Sequence, residues 1–468
     1  MNKSLRIAVV GGGITGLAAA HRLLELQQTR SSQVTVFEAS SRLGGIVATR
    51  QVQGYTLELG PDSFITNKPW GVRLCQRLGL EDQLIPTDAT FRRSFVLCRG
   101  RPVLVPDGFQ LLTPVQVWPV LTSSIFSWWG KLRMGWEYFL PARRDTSDES
   151  LASFVRRRFG QETLERLVQP LVGGIYTSDP EKLSLQATLP RFLEMEKAHG
   201  SLIRASRKAA AKAGGSEHAS GARYGLFTTH VGGTAQIVQA LANKISGTVE
   251  VVTDAAVTQI EPLPSGGYRL TQGETTREFD RVILTLPTYR IADLVEPFAH
   301  EWAMALREIE YASTSIVVSG HKLADVRHPL DAFGLVIPAI EKRRILAVSF
   351  TSRKFPNRAP DGCVQLRTFV GGAMQPELFE VSDEETKQVV REELRDLLGV
   401  SGTPDFEVVA RYPRSMPQYH VGHVDRIARI RELGLSHPGI FLAGSAYDGV
   451  GLPDSIHSGE LAAESAIR

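Results

Sequence analysis

The chain has 468 residues with a formal net charge of +3, 22% charged and 43% hydrophobic side chains, enough to build more than one core and too weakly basic for a nucleic-acid partner. Three cysteines, Cys75, Cys98 and Cys363, are scattered and never form a CxxC pair; neither a disulfide framework nor a cysteine metal site is indicated, and a reducing cytoplasm is expected. No secretory signal precedes the first strand and no apolar run reaches the roughly 20 residues that span a bilayer, so a soluble or peripheral protein is expected.

The first predicted elements are a buried strand, Leu5 to Val10, and a helix on which Ile14, Leu17, Ala18, His21 and Leu24 recur at helical spacing. Between them Gly11, Gly13 and Gly16 spell G-x-G-x-x-G. At a strand-to-helix turn these glycines allow a tight bend, close approach of a pyrophosphate and close packing of helix on strand, with the helix N-terminus facing the anion. A second strand in "QVTVFEAS" ends at Glu38, where a carboxylate can accept from a ribose hydroxyl. NAD and FAD share this fingerprint. The next residues are "SSRLGGIVAT", in which Arg42 precedes Gly44 and Gly45. Here the chain resembles the flavin-binding family that includes amine oxidases, phytoene desaturases and protoporphyrinogen oxidases, whose second signature is R-x-G-G, and the resemblance implies FAD. Paired glycines let backbone amides approach the phosphates while an arginine offsets their charge.

Farther along, "LELGPDSF" (57–64), "PLVGGIYTSDPEKLSLQATLP" (170–190), "FVGGAMQPE" (369–377), "PQYHVGH" (417–423) and "AGSAYDGVGLPDSI" (443–456) resemble the protoporphyrinogen and coproporphyrinogen oxidases within that family. Together these stretches cover almost the whole chain. The strand-like runs "TVEVVTDAAVTQIEP" (248–262) and "FDRVILTLP" (279–287) are similar to family elements that place a valine near the adenine, here Val257, and close over the dinucleotide; Val257 reads equally as an ordinary core residue. At the end, a strand from Ile440 runs into Gly444, a loop carries Gly449 and Gly451, and Pro453 and Asp454 open a last helix that can face the flavin.

The resemblance implies cofactor contacts from Gly11, Gly13, Ile14, Thr15 and Gly16, from Glu38, Ala39, Arg42, Gly44 and Gly45, and from Gly60, Pro61, Asp62 and Ser63. Val257, Met374, Gly444, Val450, Gly451 and Leu452 complete that set. It also implies an α/β fold like the amine oxidases: a discontinuous Rossmann-like FAD domain (1–70, 225–290, 412–468), a mixed-sheet substrate domain (71–110, 291–411) and a helical insert (111–224). The run 205–225, rich in Ala, Gly, Ser and Lys, is expected to be a mobile surface loop.

No HExxH, GxSxG or Cys/His cluster with metal spacing occurs, so no metal is expected and the flavin carries the chemistry. The activity implied by resemblance is oxidation of a porphyrinogen to the porphyrin in haem biosynthesis, by successive two-electron steps with dioxygen reoxidising the flavin to give peroxide. The G-P-D-S-F form looks like the soluble enzymes of Gram-positive-type bacteria, several of which act on coproporphyrinogen III rather than protoporphyrinogen IX. Catalytic-cavity walls are expected from Phe333, Val336, Gly174 and Ile175. Asp62 is expected to accept from pyrrole N–H groups or to order its loop, and Arg92 or Arg93 to bind a propionate or to stand as solvated cations. Another oxidoreductase of the same fold, or a non-catalytic flavin or porphyrin carrier, are the alternatives.

Four of six tryptophans fall at Trp118, Trp128, Trp129 and Trp136. If the segment is one helix, Trp118, Ile125, Trp129, Leu132, Trp136 and Phe139 share a face, which reads as a buried wall of the insert or as an interfacial membrane contact. The buried wall is the expectation. With the membrane contact, the protein would sit peripherally at the inner face of the plasma membrane; a homodimer is expected from the resemblance alone.

Overall fold

The computed structural model describes residues 4–28, 30–114, 116–212 and 227–468. Five strands form one parallel sheet in the order Glu250–Val252, Ser32–Phe37, Leu5–Val10, Arg281–Leu284, Ile440–Leu442. Both faces are covered, which is why Leu5–Val10 is apolar at nearly every position rather than alternating. Ile7 and Val9 point into a core shared with the helices Ile14–Glu25, Ala235–Ile245 and Leu452–Ile467. Ala8 and Val10 point the other way, toward the helices Thr288–Val295 and His300–Arg307 and the antiparallel strands Val257–Pro262, Tyr268–Gln272 and Thr275–Phe279. The first and last helices meet at Gly459, where a Cβ would lie 2.2 Å from the Thr15 carbonyl oxygen; a side chain there would push them apart at a cost of about 1–3 kcal/mol.

A second, mixed sheet of seven strands runs in the order Phe406–Pro417, Tyr311–Lys322, Cys363–Gly371, Ala347–Phe350, Gly334–Val336, Phe95–Cys98, Arg101–Leu104. Phe406–Pro417 pairs with Tyr311–Lys322 through to Pro417, so the chain leaves this sheet after Pro417 rather than at the expected position 412. The stretch 248–262 is two strands in two different sheets, broken by Asp254 at φ +53°.

The described part of the insert is helical. Its longest run, Gln161–Tyr176, winds as a π-helix over Leu164–Val168, a local widening often found beside functional sites. Its buried polar centre is the pair Arg158 and Glu137, both fully buried. Glu137 accepts from Ser201 Oγ (2.7 Å), Leu202 N (2.8 Å) and Ile203 N (3.1 Å), capping the helix Leu202–Lys212, and Arg158 donates to the Pro141 (2.8 Å) and Gly200 (2.6 Å) carbonyls. That helix corrects the expected loop at 205–225 as far as Lys212; the rest of that run lies outside the described residues.

The aromatic segment also departs from expectation. It is two helices, Val117–Thr122 and Trp128–Trp136, and the turn between them rotates Ile125 into the insert core at 0% exposure. Trp118, Trp128, Trp129 and Trp136 are 60–81% exposed, with Leu132 and Phe139 beside them in the same state. The buried wall is overturned: this segment gives the core Val120, Ile125, Phe126 and Met134, and the indoles are left in solvent.

Candidate functional site

The glycine turn is shaped by backbone contacts that exclude a side chain. A Cβ on Gly16 would lie 1.9 Å from the Gly11 carbonyl oxygen, and one on Gly11, at φ +112°, would lie 2.5 Å from Thr285 Oγ1. Thr285, from the loop after Arg281–Leu284, donates its hydroxyl toward the carbonyls of Val10 and Gly11, each at 3.0 Å, holding the turn from the neighbouring strand. Glu38, at the end of the second strand, lies against the same turn: its Oε2 accepts from Gly12 N (2.8 Å) and its Oε1 from Ser40 N and Oγ (2.9 and 2.7 Å). Three of about four carboxylate acceptor positions are used, which leaves one for a ribose hydroxyl. Ala39 follows Glu38, and Val257 stands half-buried at the start of its strand, packed on the core beneath.

The second glycine pair is joined to the first. Gly44 N donates to the Gly12 carbonyl (2.8 Å), Gly13 and Gly44 form an isolated parallel bridge, and the only atom near a Cβ on Gly13 is Gly45 Cα, at 4.0 Å. Arg42 donates to the carbonyl of Gly45 at 2.6 Å, so it braces the R-x-G-G turn as well as bringing a cation to it. The two glycine turns thus lie side by side in backbone contact, with Ile14 and Thr15 opening the helix behind them. These residues fit a dinucleotide.

The segment Leu59–Ser63 is held by groups from four other elements. Tyr412 Oη donates to the Leu59 carbonyl (2.8 Å), Arg367 to that of Gly60 and Thr234 Oγ1 to that of Pro61 (3.0 Å). Lys354 Nζ lies 3.0 Å from both Asp62 oxygens and from Ser63 Oγ, while Ser63 Oγ donates to Asp62 Oδ1 (2.8 Å) and Arg367 stands 3.7 Å from Oδ2. Burial by itself would raise the Asp62 carboxyl, but the Lys354 and Arg367 cations outweigh it and hold the group well below the usual carboxylate range. Three of about four acceptor positions on this carboxylate are thus used in holding the loop, as for Glu38, and one is left.

The other expected substrate residues separate. Gly174 and Ile175 are exposed at the end of the helix Gln169–Tyr176. Ala373 N donates to the Thr177 carbonyl (3.0 Å) and Gln169 Nε2 to Met374 Sδ (3.7 Å), which brings Met374 to that helix end. Gln169 Oε1 accepts from Ala339 N (2.9 Å), drawing in the stretch after Val336, which packs half-buried on the insert core. Phe333, just before the strand Gly334–Val336, is buried at 4% exposure. Arg92 donates to Thr87 Oγ1 and O, and Arg93 to Asp331 at 3.1 Å on a half-exposed surface. Both arginines are partly exposed.

The last strand enters Gly444 at φ +140°, and the terminal helix begins after Gly451 with Leu452 buried beneath it and Val450 in the loop. Asp454 in its first turn is paired with Lys68 (2.6 Å), and its carboxylate fills the space where a Cβ on Gly449 would go. Neither Lys68, Lys354 nor Arg367 stands out by motif; only Arg367 leaves a trace, a cation in the middle of the apolar strand "CVQLRTFVGG". Among the described residues, no three His, Cys, Asp or Glu side chains converge as metal ligands.

The model of the family described as flavin-containing amine oxidoreductases matches residues 14–467. The chain belongs to this family. Its members are flavin-containing oxidoreductases, and FAD is the cofactor. Among curated relatives of the amine oxidoreductase chain, the coproporphyrinogen III oxidase of Bacillus subtilis (strain 168) is 33% identical, covering 98% of this chain and 97% of the relative. Protoporphyrinogen oxidase 2 of Arabidopsis thaliana is 30% identical, covering 99% and 94%. A solved structure from Exiguobacterium sp. 255-15 matches with a TM-score of 0.89 at 30% identity over 99% of both chains.

Two outcomes are expected. Gly13→Ala leaves the apoprotein's melting temperature unchanged, because a methyl there meets only Gly45 Cα, and weakens FAD about tenfold or more by filling the cradle, which flavin-fluorescence titration of the apoprotein reads directly. His423 is buried, and burial followed by repulsion from Arg426 lowers its pKa from 6.5 to about 4. The unfolded chain therefore takes up this proton first, so the contribution is intact above about pH 6.5 and is lost as the pH falls toward 4, by about 3 kcal/mol. In urea denaturation, His423→Phe is expected to remove that share of the acid slope.

Proposed function

We propose that the chain is an FAD-dependent oxidase that converts coproporphyrinogen III to coproporphyrin III in haem biosynthesis. The observation that carries this reading is an intact dinucleotide cradle in a chain that aligns end to end with bacterial coproporphyrinogen III oxidases at 32–34% identity. The plant protoporphyrinogen oxidases align over similar lengths at 28–30%. Bound FAD supplies the two-electron oxidation and dioxygen takes the electrons away as peroxide.

The work left to the chain is to hold an apolar macrocycle with acidic arms close and dry. Ile175 and Met374, large apolar side chains exposed on adjoining segments, suit the ring, with Gly174 admitting it closely and Val336 behind. Arg93, whose Nη2 donates to the carbonyl and the carboxylate of Asp331 while the side chain stays partly exposed, suits a propionate, which can replace that carboxylate as the partner in bidentate geometry. Four propionates on coproporphyrinogen, against two on protoporphyrinogen, favour a site with cations at its edge. The exposed tryptophans, with Lys131 Nζ over the Trp128 ring at 4.6 Å, support peripheral contact with an anionic lipid surface, since indoles partition to the interface and a lysine adds attraction.

Purified holoprotein in air is expected to raise porphyrin fluorescence about tenfold faster with coproporphyrinogen III than with protoporphyrinogen IX. The reverse preference moves the assignment to protoporphyrinogen, and a rate equal to the enzyme-free control for both removes porphyrinogens as substrates. In flotation with phosphatidylglycerol-containing vesicles, wild type is expected to rise with the lipid and the double variant Trp128→Ser/Trp129→Ser to stay behind. A wild type that stays behind sinks the membrane contact.

A further inference from the structure

Tyr419 lies outside the glycine cradle, in the link between the strand Phe406–Pro417 and the helix His423–Gly434. Its side chain is 2% exposed. The phenol oxygen donates to the Ser445 carbonyl (2.7 Å) and accepts from Gly449 N (2.8 Å), so a single atom joins both arms of the loop that connects the last strand to the terminal helix. That loop needs an outside support: it is Ser-Ala-Tyr-Asp-Gly-Val-Gly, and Gly449 sits at φ +150°. The ring itself is fixed, stacked on His423 with centroids 3.9 Å apart and planes 15° from parallel. Burial raises the phenol well above its ordinary pKa, so it stays protonated and keeps donating.

The same link is tied in the opposite direction to the helical insert. Ser184 N donates to the Tyr419 carbonyl (2.7 Å) and Val421 N to that of Lys182 (2.8 Å). Asp148 Oδ2 accepts from both Ser184 Oγ (2.7 Å) and Gly422 N (2.9 Å). The insert thus grips the backbone on which Tyr419 stands, and Tyr419 grips the loop.

We propose that Tyr419 is a cofactor-positioning residue through which the helical insert sets the conformation of the 445–449 loop against FAD. The proposal rests on the flavin of the family reading and is independent of which porphyrinogen is oxidised. It also gives the insert a part in cofactor binding although no insert residue belongs to the cradle.

The test is Tyr419→Phe, which keeps the buried ring and its stack and removes only the hydroxyl. Apoprotein titrated with FAD is expected to show a dissociation constant raised about tenfold, as for loss of a hydroxyl that makes two hydrogen bonds, with an altered visible flavin band in the holoprotein and an apoprotein melting temperature close to wild type. Asp148→Asn, remote from the loop, is expected to weaken FAD in the same direction by a smaller factor, and to add nothing when combined with Tyr419→Phe. Wild-type affinity and spectrum in Tyr419→Phe would overturn the proposal, as would full additivity of the two variants. A wild-type chain that takes up no FAD would instead overturn the flavin reading beneath it.

Discussion

Everything in this molecule depends on how closely one stretch of backbone can approach another. At Gly16 the helix lies so near the strand that a methyl would fall inside the Gly11 carbonyl, and the same closeness places Thr285 over the turn and Gly44 beside Gly12. Backbone amides can serve as an anion cradle only if nothing stands between them and the ligand. The requirement for glycine is thus steric before it is chemical, and the parallel sheet, buried on both faces, is the rigid floor that keeps the two turns in register.

That constraint also explains what was legible in the sequence. Gly11, Gly13, Gly16 and the pair Gly44–Gly45 are readable because sterics tie residue type to place, and Glu38 because it must stand at the end of the second strand. The central strands Tyr311–Lys322 and Cys363–Gly371 are buried along most of their length and so carry no simple alternation in the sequence. Phe333, Asp62 and the tryptophans were not readable in the same way. An apolar side chain in a strand goes to a core or to a cavity according to what packs on it, and a carboxylate in a loop acts according to which cations a distant strand brings. Lys354 and Arg367 reach Asp62 from almost three hundred residues away, and no local pattern announces that meeting. The aromatic run has helical spacing throughout, but the break at residues 123–127 turns Ile125 inward and the indoles outward.

Charge is handled in two ways on the two sides of the cradle. Around Asp62, two cations face one carboxylate, so the buried cluster carries a net positive charge beside the Gly60–Ser63 segment. In the insert, Arg158 and Glu137 cancel while also meeting backbone groups at the start of a helix. Breaking the second pair would strand a buried ion, at about 3–5 kcal/mol. The insert is therefore built around a rigid polar knot, and its surface aromatics are free of any structural duty to the core.

The order of strands in the parallel sheet has a consequence for biosynthesis. The central strand is synthesised well before its partners: one of its two flanking strands starts at Arg281, the edge strand at Ile440 follows later, and the helix packed on the first helix is later still. The nascent chain must carry an incomplete, apolar sheet through most of its synthesis while the second sheet and the insert emerge between its parts. Contacts of such long sequence separation form slowly and leave unpaired strand edges exposed in the meantime. Chaperone demand and yield on overexpression thus follow from topology, and the parallel sheet is complete only once Ile440–Leu442 has emerged.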